Sequence, residues 1–284
     1  MDHANGFDGK TFDVNSKSQT AIASLSFTCG IAMMAKASTP GRAKTRLVPP
    51  LTFDEAAALN TAFLQDMTDN MLLASQRAAP QVAIAAYAAY GPPGSENFFR
   101  ATLPASVGLI AAWLPNFGDC LMHTVCEIFA RGHAAAVVLN SDSPTLPTAL
   151  LNETAEALAL PGDRAVLGPS TDGGYYLLGL KAAHPRMFED IAWSTERVAE
   201  QTRERAREID LEIHELPLWY DVDDVEGLRR VRDEIGRSVP QHDSNSAHQP
   251  HHSRHTAALM NGLWRQRDFS ERVDGVGQAE RMSA

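Results

Sequence analysis

Residues 27–47 read FTCGIAMMAKASTPGRAKTRL. The first nine, FTCGIAMMA, are an unbroken apolar run of strand length, as a strand buried on both faces requires. The next eleven, Lys36 to Arg46, hold Lys36, Arg42, Lys44 and Arg46. Pro40-Gly41 between them forces a turn, with Gly supplying the conformation other residues resist. A buried strand running into a basic loop is what a phosphate site at a strand's carboxyl end needs. Arg offers a two-pronged hydrogen-bond donor and Lys a compact charge, so such a loop can wrap a pyrophosphate. It is not a P-loop: the two glycine positions before Lys44-Thr45 are Ser38 and Ala43. No GxGxxG follows the strand either.

Working outward, strand and helix patterns alternate. Helices are expected over 53–78, 95–103, 119–132, 147–160, 194–208 and 221–236. Strands are expected over 81–88, 107–113, 134–140, 164–169, 175–180 and 211–217. Alternation with continuous apolar strands predicts an α/β domain with a mainly parallel sheet covered on both faces. Ligands of such sheets bind in loops at the carboxyl ends of the strands. The expected organisation is a disordered leader over 1–25, one domain over 26–237, and a low-complexity His/Ser-rich tail over 238–284.

Composition narrows the function. The chain has 284 residues and a formal net charge of -10, with His neutral. An acidic domain repels nucleic acid and anionic membranes, so neither is expected as a partner. Cys29, Cys120 and Cys126 are odd in number and lack CxxC spacing, which disfavours a disulfide framework and points to a reducing cytoplasm. The N-terminus lacks a basic signal-peptide start, and the apolar stretch 21–35 is too short to span a bilayer.

Three further loops carry candidate chemistry. In Leu139-Asn140-Ser141-Asp142-Ser143-Pro144, an aliphatic strand ends at Asp142, placed to hold Mg²⁺ or Mn²⁺ against a diphosphate or, alternatively, to cap the next helix. In Ser170-Thr171-Asp172-Gly173-Gly174-Tyr175, the Asp-Gly-Gly is a tight-turn signal. Asp172 can also orient or deprotonate an acceptor hydroxyl. In Tyr220-Asp221-Val222-Asp223-Asp224, Asp221 and Asp223 share a face if extended, either as a helix N-cap or as a second metal ligand. Trp193-Ser194-Thr195 is a weaker signal, since Ser194 or Thr195 can cap a helix. No GxSxG elbow supports a hydrolase triad.

Taken in order, AKASTPGRAKTRL, NSDSPTLP, GPSTDGGYYLLGL, WST and DVDD resemble the motifs of the bacterial DUF2064 proteins, of the GT-A glycosyltransferase-like superfamily. The resemblance spans about residues 28–236. It implies a three-layer αβα, Rossmann-like GT-A fold with a mixed, mostly parallel sheet. It implies a metal-dependent glycosyltransferase that takes a nucleotide-sugar donor and a small-molecule acceptor. The basic loop and DVD ending are also similar to 2-phospholactate guanylyltransferases and molybdenum-cofactor nucleotidyltransferases. That likeness implies the alternative of a nucleoside triphosphate substrate, and a non-catalytic nucleotide-binding module is the third reading. The resemblance assigns Ala35, Lys36, Gly41, Lys44, Arg46 and Asp119 to the nucleotide, and Asp142 and Asp223 to Mg²⁺ or Mn²⁺. It assigns Asp172, Gly173, Gly174, Tyr175, Trp193, Ser194 and Thr195 to the acceptor, with Lys44, Asp142 and Asp172 as the catalytic set. Departures from the family pattern are Ser38-Thr39, Asn140 and Asp224.

Overall fold

Strand β1 spans Phe27–Lys36 and lies inside the sheet, paired in parallel with β2 (Val82–Gly91) on one side and β4 (Ala135–Leu139) on the other. The computed structural model of the chain describes residues 27–236, 248–273 and 275. The other strands are β3 (Gly108–Ala111), β5 (Ala165–Pro169), β6 (Tyr175–Leu180) and β7 (Ile213–Glu215). Their order across the seven-stranded sheet is β3-β2-β1-β4-β6-β5-β7. β6 runs antiparallel to both β4 and β5, while the remaining pairings are parallel. The sheet is therefore mixed and mostly parallel. The Asp-Gly-Gly turn is the hairpin that reverses the chain between β5 and β6.

The helices are α1 (Phe53–Arg77), α2 (Glu96–Thr102), α3 (Phe117–Ala130), α4 (Thr148–Ala159), α5 (Val198–Glu208), α6 (Val225–Gly236) and α7 (Arg254–Trp264). Alternation along β1 divides the core. Cys29, Ile31 and Met33 pack with Leu64 and Met67 of α1 and Leu150 and Leu158 of α4. Ala32 packs on the other face with Leu121, Val125 and Ile128 of α3 and Ala206 of α5. Three layers follow from one strand's two-residue period. Helix α1 begins on a capping box in which Thr52 and Glu55 bond each other's backbone N–H.

The expected leader over 1–25 lies outside the described residues. Of the expected tail over 238–284, residues 238–247, 274 and 276–284 lie outside the described residues, and the rest is corrected. Residues 254–264 form α7, residues 267–273 are helical again, and Met260, Leu263, Phe269 and Val273 are buried against Leu47, Leu59, Phe63 and Leu228. The polar, His-rich stretch before residue 256 masks these apolar residues, which recur at helical spacing. Both carboxylate oxygens of Asp66, on α1, accept hydrogen bonds from the start of α7: the N–H of His255 (2.9 Å), and the N–H and Oγ1 of Thr256 (2.8 and 2.6 Å). None of the described helices is long and apolar enough to cross a membrane.

Candidate functional site

The basic loop leaves the end of β1 at the carboxyl edge of the sheet. Thr39, Pro40, Gly41 and Arg42 make a tight turn, closed by Arg42 N–H donating to the Thr39 carbonyl (2.9 Å), with Gly41 at φ 74°. Asn60 of α1 ties the loop down by donating to the Lys36 carbonyl (3.0 Å) and to Ser38 Oγ (2.8 Å). Lys44 then adopts a left-handed conformation, φ 50° and ψ 39°, just before a 3₁₀ turn at Thr45–Leu47. For a side-chain-bearing residue this conformation costs on the order of 1 kcal/mol and persists only where surrounding contacts hold it.

Those contacts are explicit. Lys44 Nζ lies 2.9 Å from Asp142 Oδ1 and 2.9 Å from Asp223 Oδ1, and donates to the Val222 carbonyl at 2.9 Å. Its side chain is only 5 % exposed and its ammonium stands over the Phe63 ring. Burial alone lowers a lysine's pKa, but the Asp142 and Asp223 carboxylates outweigh it and hold the ammonium more firmly protonated than usual. Burial resists ionisation of Asp223, and Lys44 with Arg46, which also pairs with it, more than offset that and keep its carboxyl below the usual range. Burial first, then the neighbouring Asp172, Asp223 and Asp142 charges, pushes Asp221 up to about 7.

The loops that carry the two aspartates are stitched together. Val222 N–H donates to the Asp142 carbonyl (2.8 Å), Ser143 Oγ to the Tyr220 carbonyl (2.8 Å), and Thr145 Oγ1 shares a hydrogen bond with Tyr220 Oη (3.0 Å). Tyr220 in turn donates to Glu234 and lies under the Arg230 guanidinium. Neither Asp142 nor Asp223 caps a helix. Asp224 caps α6, accepting from Gly227 N–H at 2.8 Å.

Beside this cluster opens a cleft of about 390 Å³. Lys36, Arg42, Lys44 and Arg46 give it a cationic side, and Met34, Phe117, Leu121 and Tyr175 an apolar one. A second hollow of about 230 Å³ shares Arg46 and Asp223 with it and is lined by Asp172 and Asp221. Of the residues expected at the site, Lys36, Lys44, Arg46, Asp142, Asp223 and Tyr175 line the cleft, and Asp172 the adjoining hollow. Ala35, Gly41 and Asp119 do not line the cleft. Ala35 is buried in the core on the α1 face of the sheet, Gly41 sits in the exposed turn, and Asp119 is held by the Asn116 cap of α3. Gly173 and Gly174 form the hairpin turn, whose Gly173 carbonyl accepts from Ala199 N–H. Trp193 packs edge-on against Phe117 and Tyr175, while Ser194 and Thr195 line neither opening. They do not cap α5, which begins after Arg197.

Asn60, Phe63, Tyr220 and Ser143 were not expected at the site. Ser143 and Tyr220 stand inside the quoted Asp142 and Asp223 motifs, where neither was assigned a role at the site. Asn60 and Phe63 sit on α1, a stretch that reads as ordinary amphipathic helix.

Asp142 and Asp223 present hard oxygen donors that converge on one point, as Mg²⁺ or Mn²⁺ requires. They fit such an ion on condition that the Lys44 ammonium moves off that point. Among the described residues, the group of three whose ligand atoms lie within 4.8 Å of one another is a different one: Asp66, Asp69 and His255. It could hold a metal ion, yet Asp66 is already fully used as the α7 latch, and Asp69 already pairs with Arg254 (2.8 Å) and His255 (3.3 Å).

Comparison with known proteins agrees with this architecture. The crystal structure of a presumed nucleotide-diphospho-sugar transferase from Desulfovibrio desulfuricans is 27% identical, with a TM-score of 0.70 over 87% of this chain and 98% of that one. CMP:2-keto-3-deoxy-manno-octonic acid synthetase complexed with CTP matches at 13% identity and TM-score 0.45, over 74% of this chain and 98% of that one. A cytidylyltransferase from Leptospira borgpetersenii matches at 12% and 0.46, over 86% and 96%. The last two score too low to carry an argument, and the agreement rests on the Desulfovibrio structure. No curated protein matches the chain. The family reached is the one the motifs resemble: residues 72–195 match DUF2064, described as an uncharacterized protein conserved in bacteria.

Proposed function

We propose that the protein is a metal-dependent glycosyltransferase that takes a nucleotide-sugar donor and a small-molecule acceptor. One observation carries this reading. The Lys44 ammonium, Asp142 and Asp223 meet at the wall of a cleft whose other cations, Lys36, Arg42 and Arg46, stand in an otherwise acidic protein. Such a site grips a diphosphate and little else that is anionic, because the surrounding negative charge repels it. The similarity to the Desulfovibrio protein supports a sugar-bearing diphosphate over a triphosphate.

In this reading Lys36, Lys44 and Arg46 bind the donor's phosphates and stabilise the charge that gathers on the departing nucleoside diphosphate. Asp142 and Asp223 would hold Mg²⁺ or Mn²⁺, which supplies Lewis-acid stabilisation to the same phosphates when bound. Asp172 reaches the reaction from the adjoining hollow, where one of its oxygens accepts from Gly174 N–H and the other is left to orient or deprotonate an acceptor hydroxyl. Tyr175 and the apolar side of the cleft exclude water from the transferred group.

The test is thermal denaturation with nucleotide-sugars and nucleoside triphosphates in turn, with Mg²⁺ or Mn²⁺. At a ligand concentration of about 100 times Kd, binding adds about 2.7 kcal/mol of stability. Stabilisation by nucleotide-sugars supports the reading. Stabilisation by triphosphates alone replaces it with nucleotidyl transfer to a phosphorylated small molecule.

A further inference from the structure

We infer that Lys44 is the resident counter-cation of the Asp142–Asp223 pair, and that a divalent ion enters only by exchange with its ammonium, which then moves to the phosphate of the ligand. The inference rests on the metal dependence proposed above. It adds that metal and phosphate ligand bind in a coupled way through one side chain.

The geometry argues for exchange over simple addition. An ammonium has three N–H donors. Those of Lys44 meet three acceptors, Asp142 Oδ1, Asp223 Oδ1 and the Val222 carbonyl, each at 2.9 Å. The ammonium therefore occupies the point on which the two carboxylates converge, and an ion bridging them cannot share it. Leaving that point without a replacement cation would set two half-buried carboxylates against each other with only Arg46 on Asp223 to offset them, which is costly. Once displaced, the ammonium is freed into the cleft and is solvated there until an anion arrives to pair with it. Lys44 already lines the cleft beside Lys36, Arg42 and Arg46, the side on which a ligand's phosphate would sit.

The backbone is arranged to permit this. Lys44 sits in the left-handed region between the Thr39–Arg42 turn and the Thr45–Leu47 turn. Its carbonyl accepts from Leu47 N–H at 3.0 Å, so the backbone stays in place and the move is made by the flexible four-carbon side chain. Because free metal must displace an ammonium, and phosphate must attract one, each makes room for the other. That is a positive coupling between two sites.

The probe is Mn²⁺ alone, with the intact chain. Free Mn²⁺ is followed by electron paramagnetic resonance, and amine acetylation of Lys44 by peptide mass spectrometry against Lys36 and Lys181, at matched ionic strength. Exchange predicts that Mn²⁺ binds and speeds Lys44 acetylation at least about tenfold relative to the other two lysines. The Asp142→Asn variant, checked by its melting temperature, loses the Mn²⁺ site and acetylates Lys44 faster without metal. Mn²⁺ binding with unchanged Lys44 acetylation overturns the exchange and leaves the metal dependence standing. No Mn²⁺ binding overturns both. Binding that persists in Asp142→Asn places the ion elsewhere and also overturns the exchange.

Discussion

The N–H of Val222 donates to the carbonyl oxygen of Asp142 across 2.8 Å, joining two loops that lie eighty residues apart in sequence. That bond brings Asp142 and Asp223 to the same ammonium, each at 2.9 Å. Replacing Asp142 therefore removes one of the two anchors while the loop stays stitched through Ser143 and Thr145. Asp142→Ala is expected to abolish metal-dependent stabilisation by nucleotide-sugars while the circular-dichroism spectrum keeps its mixed α/β shape. Nucleotide and metal binding that survive unchanged would remove Asp142 from the site.

Gly173 is a position where no side chain fits. At φ 87°, a Cβ there would meet the Glu196 carbonyl oxygen at 2.0 Å. Gly173→Ala is expected to cost about 2–4 kcal/mol, from strain plus a steric clash with backbone, and to lower the urea midpoint at unchanged slope. A variant as stable as the parent would mean the hairpin can move away from the Glu196 segment.

Asp66 holds α7 through three donors and no metal ion is needed for it. Asp66→Ala removes a helix cap and leaves buried N–H groups unpaired, a loss of about 1–3 kcal/mol. Faster amide exchange over residues 254–273 is the expected readout. Chelation with EDTA is expected to leave the melting temperature of the parent unchanged. A fall on chelation would instead make Asp66, Asp69 and His255 an ion site.

His251 gives the protein an acid-sensitive joint. Burial pushes its pKa down to about 4 from an ordinary 6.5, with the neighbouring Asp69 opposing the shift and His252 and Arg77 adding to it. The folded state thus binds fewer protons than the unfolded one between those values. Stability from this group is full above pH 6.5 and falls as pH drops towards 4. His251→Gln should flatten the melting temperature across that interval. A parent curve already flat there would show His251 to be ordinary.

The three cysteines differ in reach. Cys29 is buried in β1 and its thiol is pushed up to about 12, whereas Cys126 is exposed. Since the thiolate is the reactive form, iodoacetamide on the native protein should label Cys126 and spare Cys29 until denaturant is added. Native labelling of Cys29 would show that β1 opens.

The sequence by itself determined the α/β class, the first buried strand and the basic loop at its end. Local pattern encodes these: apolar runs, Pro-Gly chemistry and clustered charge are all readable within a dozen residues. It also marked Asp142, Asp172 and Asp223 as residues at strand ends. Their grouping was decided by tertiary structure alone, because β4, the β5–β6 hairpin and the approach to α6 meet only once the sheet order brings them side by side. The same holds for Tyr220, whose hydroxyl bridges Thr145 and Glu234. It holds for the C-terminal helix, whose few apolar residues gain meaning only against Leu47, Phe63 and Leu228. Spacing along a chain fixes which faces are apolar. Which faces meet, and which charge stands between two carboxylates, follows from packing.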